Sequence, residues 1–508
     1  MYSTLRTIEK ICSKIPQPII FFLWLSLIAI ILSALLSFFD ATFSLISIKD
    51  GEKFMEVHSI KNILSADGIR FILNNSISKI SSTNIMPILV MSIIGLGIAE
   101  GSGYIKAFFV NILSRFKSSG KIATILLLFF GVISNVASDA GYLILVPLGA
   151  IIFISIGRNP LLGAAVAFAG VSGGFTANLF LSGTDALLAG ISTTAIQLII
   201  PDYTVSIEAN YYFAIASTFV IVIAGFLITE FVMVKQYKFD KTLVPQEHEK
   251  VSQITNLEKK ALKCANFAFL MCVAIVMLGI IPENGVLRNP ETGNLWQNSA
   301  LSNGVIMIFS LIFSITGITY GVVAKTIKSG DDVIKMFTGF IQISSGALGL
   351  VIFAYQFLNI LEFTKLGIGL AALIVSGITS IHASGSTFII LVVMAVAFIN
   401  LFITGMSSKW IAISYILIPT FASFGYSPEL AQAAYRVGDS ITNVISPAMS
   451  YMPIILAIFQ KYKKDASIGT IISMMMPYSI TFFLSWSVLL IVFVYFNIPL
   501  GPNISSVL

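Results

Sequence analysis

Apolar runs of about 20 residues recur along this chain, and a run of that length is what an α-helix needs to cross the ~30 Å hydrocarbon core of a bilayer. The clearest lie at 18–39, 211–234, 264–281, 303–323, 336–358 and 470–496, with a shorter one at 86–99. Hydrophobic residues make up 56% of the 508 and charged residues 11%, where soluble chains carry roughly 25% charge. The mean hydropathy is +0.93. Too few polar side chains exist to cover a water-facing surface. A soluble enzyme, a nucleic-acid binder and a disordered scaffold are thereby excluded. The three cysteines, Cys12, Cys264 and Cys272, have no metal-ligand spacing and imply no disulfide framework.

Charge in the loops orients the spans. Basic residues gather at 6–14, 115–121, 235–263, 325–335 and 461–464, and the positive-inside rule places these in the cytoplasm. The first run, behind Arg6, Lys10 and Lys14, reads as a retained span rather than a cleaved leader. Three regions (121–157, 160–200 and 384–458) are too long for single crossings and are interrupted by Gly, Ser, Asn, Asp and Pro. Lys121 and Arg158 both fall on the cytoplasmic side, so 121–157 must enter and return, with its tip near 134–140. By the same counting 384–424 enters and returns from outside, with its tip at 405–410. The predicted fold is an all-α polytopic membrane protein of about nine transmembrane helices plus two oppositely oriented re-entrant hairpins. It forms an inverted-topology repeat, with the N-terminus cytoplasmic and the C-terminus outside.

The divisions that follow are 1–85 (first span and external loop), 86–234 (first repeat, with broken helix 160–200), 235–263 (cytoplasmic loop), 264–335 (two linking spans) and 336–508 (second repeat, with broken helix 429–458 and a last span). Segment 366–382 is expected to be interfacial on the outer side. A faint sequence echo supports the repeat: Pro160, Leu162, Ala165, Gly170 and Ser172 recur at one fixed offset as Pro428, Leu430, Ala433, Gly438 and Ser440.

Two crossings contain residues that hydrocarbon does not tolerate. One runs through Gly170, Ser172, Gly173, Gly174, Thr176 and Asn178 to Ser182 and Asp185; the other runs from Arg436 through Gly438, Asp439, Ser440, Thr442 and Asn443 to Pro447. Broken helices persist in a membrane only inside protein or beside water, and an ionised group at mid-depth costs about 2.5–3.5 kcal/mol even on insertion scales. We therefore expect a wet chamber around Asp139, Asp185, Arg436 and Asp439. Alternatives stay open at each. Arg436 and Asp439, three apart on one helix face, can pair and simply close the bundle. Asp185 can cap its own broken backbone, and Asp139 can cap a hairpin tip. Trp410 is a stacking platform or an interfacial anchor, while Trp24, Trp296 and Trp486 read as anchors. Asn400 holds a cation or cross-links helices.

The chain has no P-loop, so ATP does not drive it directly, and no HExxH or potassium-filter signature. An intramembrane aspartyl protease would want Gly-x-Gly-Asp, but Arg436 stands at the first Gly position. A passive channel would want a continuous polar lining.

The residues resemble the AbgT, or p-aminobenzoyl-glutamate transporter, family. The likeness rests on Ser138, Asp139 and Ala140; on the run from Gly174 to Leu179; on Thr184, Asp185 and the run from Gly190 to Thr193; on Gly285 to Arg288; and on Arg436 to Ser440 with Ser446 and Pro447. It implies a homodimer in the inner membrane of a bacterium, carrying p-aminobenzoyl-glutamate or related folate-pathway aromatics, p-aminobenzoate and sulfonamides among them. The driving force would be a proton gradient or a sodium gradient, with no cofactor and no nucleic-acid partner. It places substrate contacts on Asn178, Asp185, Ser407, Trp410, Pro428, Arg436, Asp439 and Pro447, and cation or proton coupling on Asp185, Asn400 and Asp439. A sodium ion near Asn400 and Asp439 is the one metal it suggests. On this reading Arg436 forks onto a substrate carboxylate, Trp410 stacks on the aminobenzoyl ring, and protonation of Asp439 loosens its hold on Arg436. Lys409, at the second hairpin tip, is left as either a substrate contact or a solvent-facing charge.

Overall fold

The apolar runs become helices in the computed structural model, which describes residues 18–49, 52–82, 91, 94–95, 97–115, 120–137, 140–239, 255–295, 299–370, 372–373, 385–401, 405–447, 449 and 451–508. In chain order they are α1 (Pro18–Phe38), a two-stranded sheet of β1 (Thr42–Lys49) and β2 (Glu52–Ser59), α2 (Ala66–Ser82), α3 (Tyr104–Arg115), α4 (Gly120–Ile133) and α5 (Ala140–Ser155). Next come α6 (Pro160–Phe168), α7 (Gly183–Ile196), α8 (Tyr211–Gln236), α9 (Asn256–Ile280), α10 (Ala300–Ala324) and α11 (Gly330–Thr364). The last are α12 (Gly385–Asn400), α13 (Met406–Ser423), α14 (Pro428–Asn443), α15 (Met452–Tyr462) and α16 (Ile468–Tyr495).

Four of the described helices are long and apolar enough to cross a membrane: α8, α9, the Asn303–Ala324 part of α10, and α16. Their lipid-compatible surface is plain in exposed Phe267, Leu270, Leu278, Leu484 and Val488.

The chain is not all-α. β1 and β2 form an antiparallel β-ribbon, with Phe43 opposite His58 and Leu45 opposite Glu56. The stretch falls in the expected external loop of 1–85, but the alternation in Thr42-Phe43-Ser44-Leu45 has the period of a strand. Nor is 1–85 only one span and a loop. α2 follows the ribbon and docks on α11, where Ser76 Oγ donates to Gln356 Oε1 at 2.9 Å. Its polar Asn74, Asn75 and Ser76 interrupt the apolar run that would have announced it.

α11 is longer than expected because both ends are capped. Ser329 and Asp332 form a capping box at its start, and the amides of Lys328 and Ser329 hold the Asp332 carboxyl below its ordinary range. Lys365, at φ +62°, ends it. The chain then turns helical again at 366–370, where Ile368 is buried; the rest of 366–382, apart from 372–373, lies outside the described residues. Trp486 is no interfacial anchor: it is buried in α16 and donates its indole N–H to Ser217 of α8 at 2.6 Å. Trp24 is 57% exposed, and Trp296 lies outside the described residues.

Two helix pairs return to where they began. Arg158, just past α5, donates from Nη1 at 3.2 Å to Thr124 in the first turns of α4, and it binds Glu230 of α8 through Nη1 and Nη2 at 2.6 and 2.9 Å. At the other pair, Phe388 near the start of α12 packs its ring against Phe421 and Phe424, at the end of α13, with centroids 4.8 and 4.7 Å apart.

The broken helices are seated alike. α6 opens on Asn159 and Pro160, α14 on Ser427 and Pro428, each with a side-chain cap and a proline in the first turn. A Cβ on Gly170 would lie 2.7 Å from the Leu128 carbonyl oxygen of α4, and one on Gly438 2.6 Å from the Val393 oxygen of α12. Only glycine permits either approach. These are the same two glycines that the fixed sequence offset pairs, each resting on the first arm of its own helix pair.

Candidate functional site

After Phe168 the helix widens into one π-turn over Ala169–Gly173 and then stops. The chain runs unwound until Ser182 caps α7. Asn178 serves this break directly, its Oδ1 accepting from the amides of Leu179 and Phe180 at 2.9 and 3.3 Å. Thr176 bridges to the other half of the molecule. Its hydroxyl lies 3.1 Å from the carbonyl oxygen of Arg436 and 2.8 Å from Ser440 Oγ.

Asp185 sits in the first turn of α7 and uses both carboxylate oxygens. Oδ2 accepts from the Ser182 amide and hydroxyl at 2.8 and 2.7 Å; Oδ1 takes Arg436 Nη1 at 2.7 Å. It therefore caps its own broken backbone and also holds a charge on α14.

The expected Arg436–Asp439 pair does not form. Helical side chains lean toward the N-terminus of their helix. Arg436 accordingly lies back toward Gln432, with Nε 3.3 Å from Gln432 Oε1, and reaches α7 rather than the shorter Asp439 one turn ahead. Asp439 finds Lys409 instead, with Nζ 2.6 Å from Oδ1 and both side chains 1% exposed. Lys409 thus faces neither solvent nor an open substrate path. Its ammonium also donates to Asn400 Oδ1, while the Asn400 amide nitrogen donates to the Asp439 carbonyl, Thr442 Oγ1 and Asn443 Oδ1. The expected cation position between Asn400 and Asp439 is filled by the chain's own ammonium.

Trp410 is fully buried, 4.7 Å from the Tyr435 ring between centroids, and its N–H donates to Ser192 Oγ at 3.1 Å. In this conformation its faces are packed in protein. Ser192 also accepts from Gln432 Nε2 at 2.9 Å, and Asn210 donates to Gln432 Oε1 at 2.7 Å. A continuous polar line therefore runs from Trp410 through Ser192, Gln432 and Arg436 to Asp185. Pro428 contributes only as the first residue of α14, and Ser407, in the first turn of α13, is half-buried. Pro447 lies in the unwound stretch just past α14, beside Ser446, whose hydroxyl donates to the Leu401 carbonyl at 3.3 Å. Asp139 lies outside the described residues.

In this conformation Asp439 and Arg436 do not line an open chamber. Asp439 is 0% and Arg436 5% exposed. Each is compensated by an opposite charge, which is the condition under which buried ions persist. Sequence reasoning missed Gln432 and Asn210, and it singled out Lys409 and the run containing Ser192 without placing either in this network. Gln432 had a signal, standing four residues before Arg436 on the same face.

A sequence model described as "AbgT putative transporter family" matches residues 3–508. The p-aminobenzoyl-glutamate transport protein of Escherichia coli (strain K12) is 30% identical over 504 residues, covering 98% of this chain and 96% of its own length. The YdaH transporter of Alcanivorax borkumensis, whose crystal structure is described as having an unusual topology, superposes with a TM-score of 0.87 at 35% identity, over 96% of this chain and all (100%) of its own. MtrF of Neisseria gonorrhoeae, described within a class of antimetabolite efflux pumps, gives a TM-score of 0.88 at 36% identity, over 99% and 100%. These relatives are transporters and efflux pumps, not enzymes.

Proposed function

The chain belongs to the AbgT transporter family, and from that premise we propose that it is a proton-driven secondary carrier of p-aminobenzoyl-glutamate or a related aromatic carboxylate such as p-aminobenzoate or a sulfonamide antimetabolite. It acts as a homodimer in a bacterial inner membrane, with its N-terminus cytoplasmic. Nine crossings and two opposed re-entrant hairpins, α4–α5 and α12–α13, form each subunit. The meeting of Arg158 with Thr124, and of Phe388 with Phe424, supports the two hairpins.

One observation carries the substrate class. Arg436, the cation at the seam between the halves, holds a carboxylate through Nη1, and its described bonds use only Nε and Nη1. A guanidinium offers five donors in a fork that matches a carboxylate. A substrate carboxylate and Asp185 are therefore competitors for one cation. Protonation of Asp185 weakens its claim on Arg436 and lets the substrate take it, which links occupancy to the proton gradient. Here Asp185, rather than Asp439, is the carboxylate that acts on Arg436.

The test is flux of p-aminobenzoyl-glutamate, p-aminobenzoate and a sulfonamide in reconstituted vesicles under imposed pH and sodium gradients. The Arg436→Ala protein is expected to lose at least about tenfold in affinity, the equivalent of 1.4 kcal/mol. Asp185→Asn is expected to bind but not to concentrate substrate against a gradient. Equal affinity in parent and Arg436→Ala would remove the carboxylate role. Absence of saturable counterflow would favour a passive channel.

A further inference from the structure

Lys409 is the one lysine among the described residues whose ammonium is sealed at 1% exposure between a carboxylate and an amide oxygen. Its donors meet Asp439 Oδ1 at 2.6 Å and Asn400 Oδ1. The second carboxylate oxygen, Asp439 Oδ2, is buried and accepts no hydrogen bond among the described residues. Asn400 is turned so that its nitrogen faces three acceptors on α14 and its oxygen faces the ammonium. The amide cannot flip without losing those bonds.

Two hard oxygens, Asn400 Oδ1 and Asp439 Oδ1, thus meet one positive centre, and the buried, unpartnered Asp439 Oδ2 belongs to the same carboxylate; together they are the kind of donor set that suits a small oxygen-seeking cation. We propose that the Lys409 ammonium is a tethered resident cation that fixes the ion selectivity of this site: it occupies the position permanently and excludes free monovalent ions. Replacing Lys409 with an uncharged side chain opens a sodium-selective site on Asn400 and Asp439. A tether on α13 keeps the local cation concentration high whatever the salt outside. A free ion would fill the same oxygens only at a concentration near its dissociation constant. The consequence reaches energy coupling, because a chain whose cation is covalently attached cannot use sodium at this place. This inference concerns an ion and not the organic cargo, so it stands or falls apart from the substrate assigned above.

The experiment compares thermal unfolding of purified parent, Lys409→Ala, Lys409→Met and Lys409→Ala/Asp439→Asn in NaCl, KCl and choline chloride at equal ionic strength. The parent is expected to unfold at the same temperature in all three salts. The two single variants should unfold earlier in choline chloride and recover saturably with NaCl, by at least about 2 °C, with less recovery in KCl. The double variant should not respond to the choice of cation, because its carboxylate is gone. A simple packing role for Lys409 would shift the unfolding temperature equally in every salt, and that result overturns the proposal. So does a saturable sodium response in the parent. If neither single variant folds in any salt, binding of radiolabelled sodium to the parent decides. Binding that Asp439→Asn abolishes refutes a resident ammonium, and no binding upholds it.

Discussion

Arg436 and Asp439 stand three residues apart on one helix face, yet each is neutralised by a different element: Arg436 by Asp185 of α7 and Asp439 by Lys409 of α13. α14 is thereby clamped on two sides by charge, once to α7 and once to α13. Breaking a buried pair differs from deleting it, and that difference is measurable. Arg436→Met leaves the Asp185 carboxylate stranded at 12% side-chain exposure and is expected to cost about 3–5 kcal/mol. Adding Asp185→Leu should restore most of that loss in denaturant unfolding while substrate binding stays absent. Equal destabilisation of single and double variants would show that the pair is not coupled.

The glycine seats make a second prediction. Gly170→Ala and Gly438→Ala each push a methyl group against backbone, 2.7 Å from Leu128 O and 2.6 Å from Val393 O. Overpacking of this kind costs about 1–3 kcal/mol. Gly339→Ala, with nothing within 4 Å of the new atom, is the control: a helix-interior alanine there should be neutral or stabilising by up to about 1 kcal/mol. Thermal unfolding of the three proteins separates them.

Arg158 closes the first helix pair against α8, with both Glu230 oxygens engaged and the carboxylate side chain 7% exposed. Arg158→Ala should lower stability by about 1–3 kcal/mol by leaving Glu230 without its charge partner and with only the Thr124 hydroxyl bonded to it. Arg158→Lys should recover only part of this, since an ammonium cannot fork. Full recovery by lysine in the unfolding assay would mean that charge alone matters there.

Trp410 separates packing from hydrogen bonding. Trp410→Phe keeps most of the ring contact with Tyr435 but abandons Ser192, for an expected loss of about 1 kcal/mol. Trp410→Ala empties a fully buried volume and should cost about 3–5 kcal/mol. If the two variants unfold alike, the bond to Ser192 rather than the ring volume is what secures α13 to α7.

The sequence made the long spans and the two breaks legible because both signals are local. A run such as 264–281 needs no knowledge of its neighbours, and Gly170 to Gly174 marks its own weakness. The likeness of α6 and α14 was legible in the proline and glycine positions, since those prolines open the helices and those glycines sit where backbone meets backbone. Charge partners were not legible. Asp185 and Arg436 meet only because the two halves face one another, and Lys409 offered no sequence signal that separates an ion pair from a solvated head. The spacing of Arg436 and Asp439 misled for a definite reason: it reports a shared face but not which way a long side chain lies along it. The β-ribbon was hidden by its lysines and glutamates, which are compatible with strand and loop alike.

Lys409 also bears on how the molecule is made. α13 leaves the ribosome before α14 exists, so for that interval its ammonium has no Asp439 to neutralise it, at a cost of about 2.5–3.5 kcal/mol in a bilayer. The pair that seals Lys409 is therefore a late contact in the order of synthesis, open to the ammonium only once α14 has followed α13.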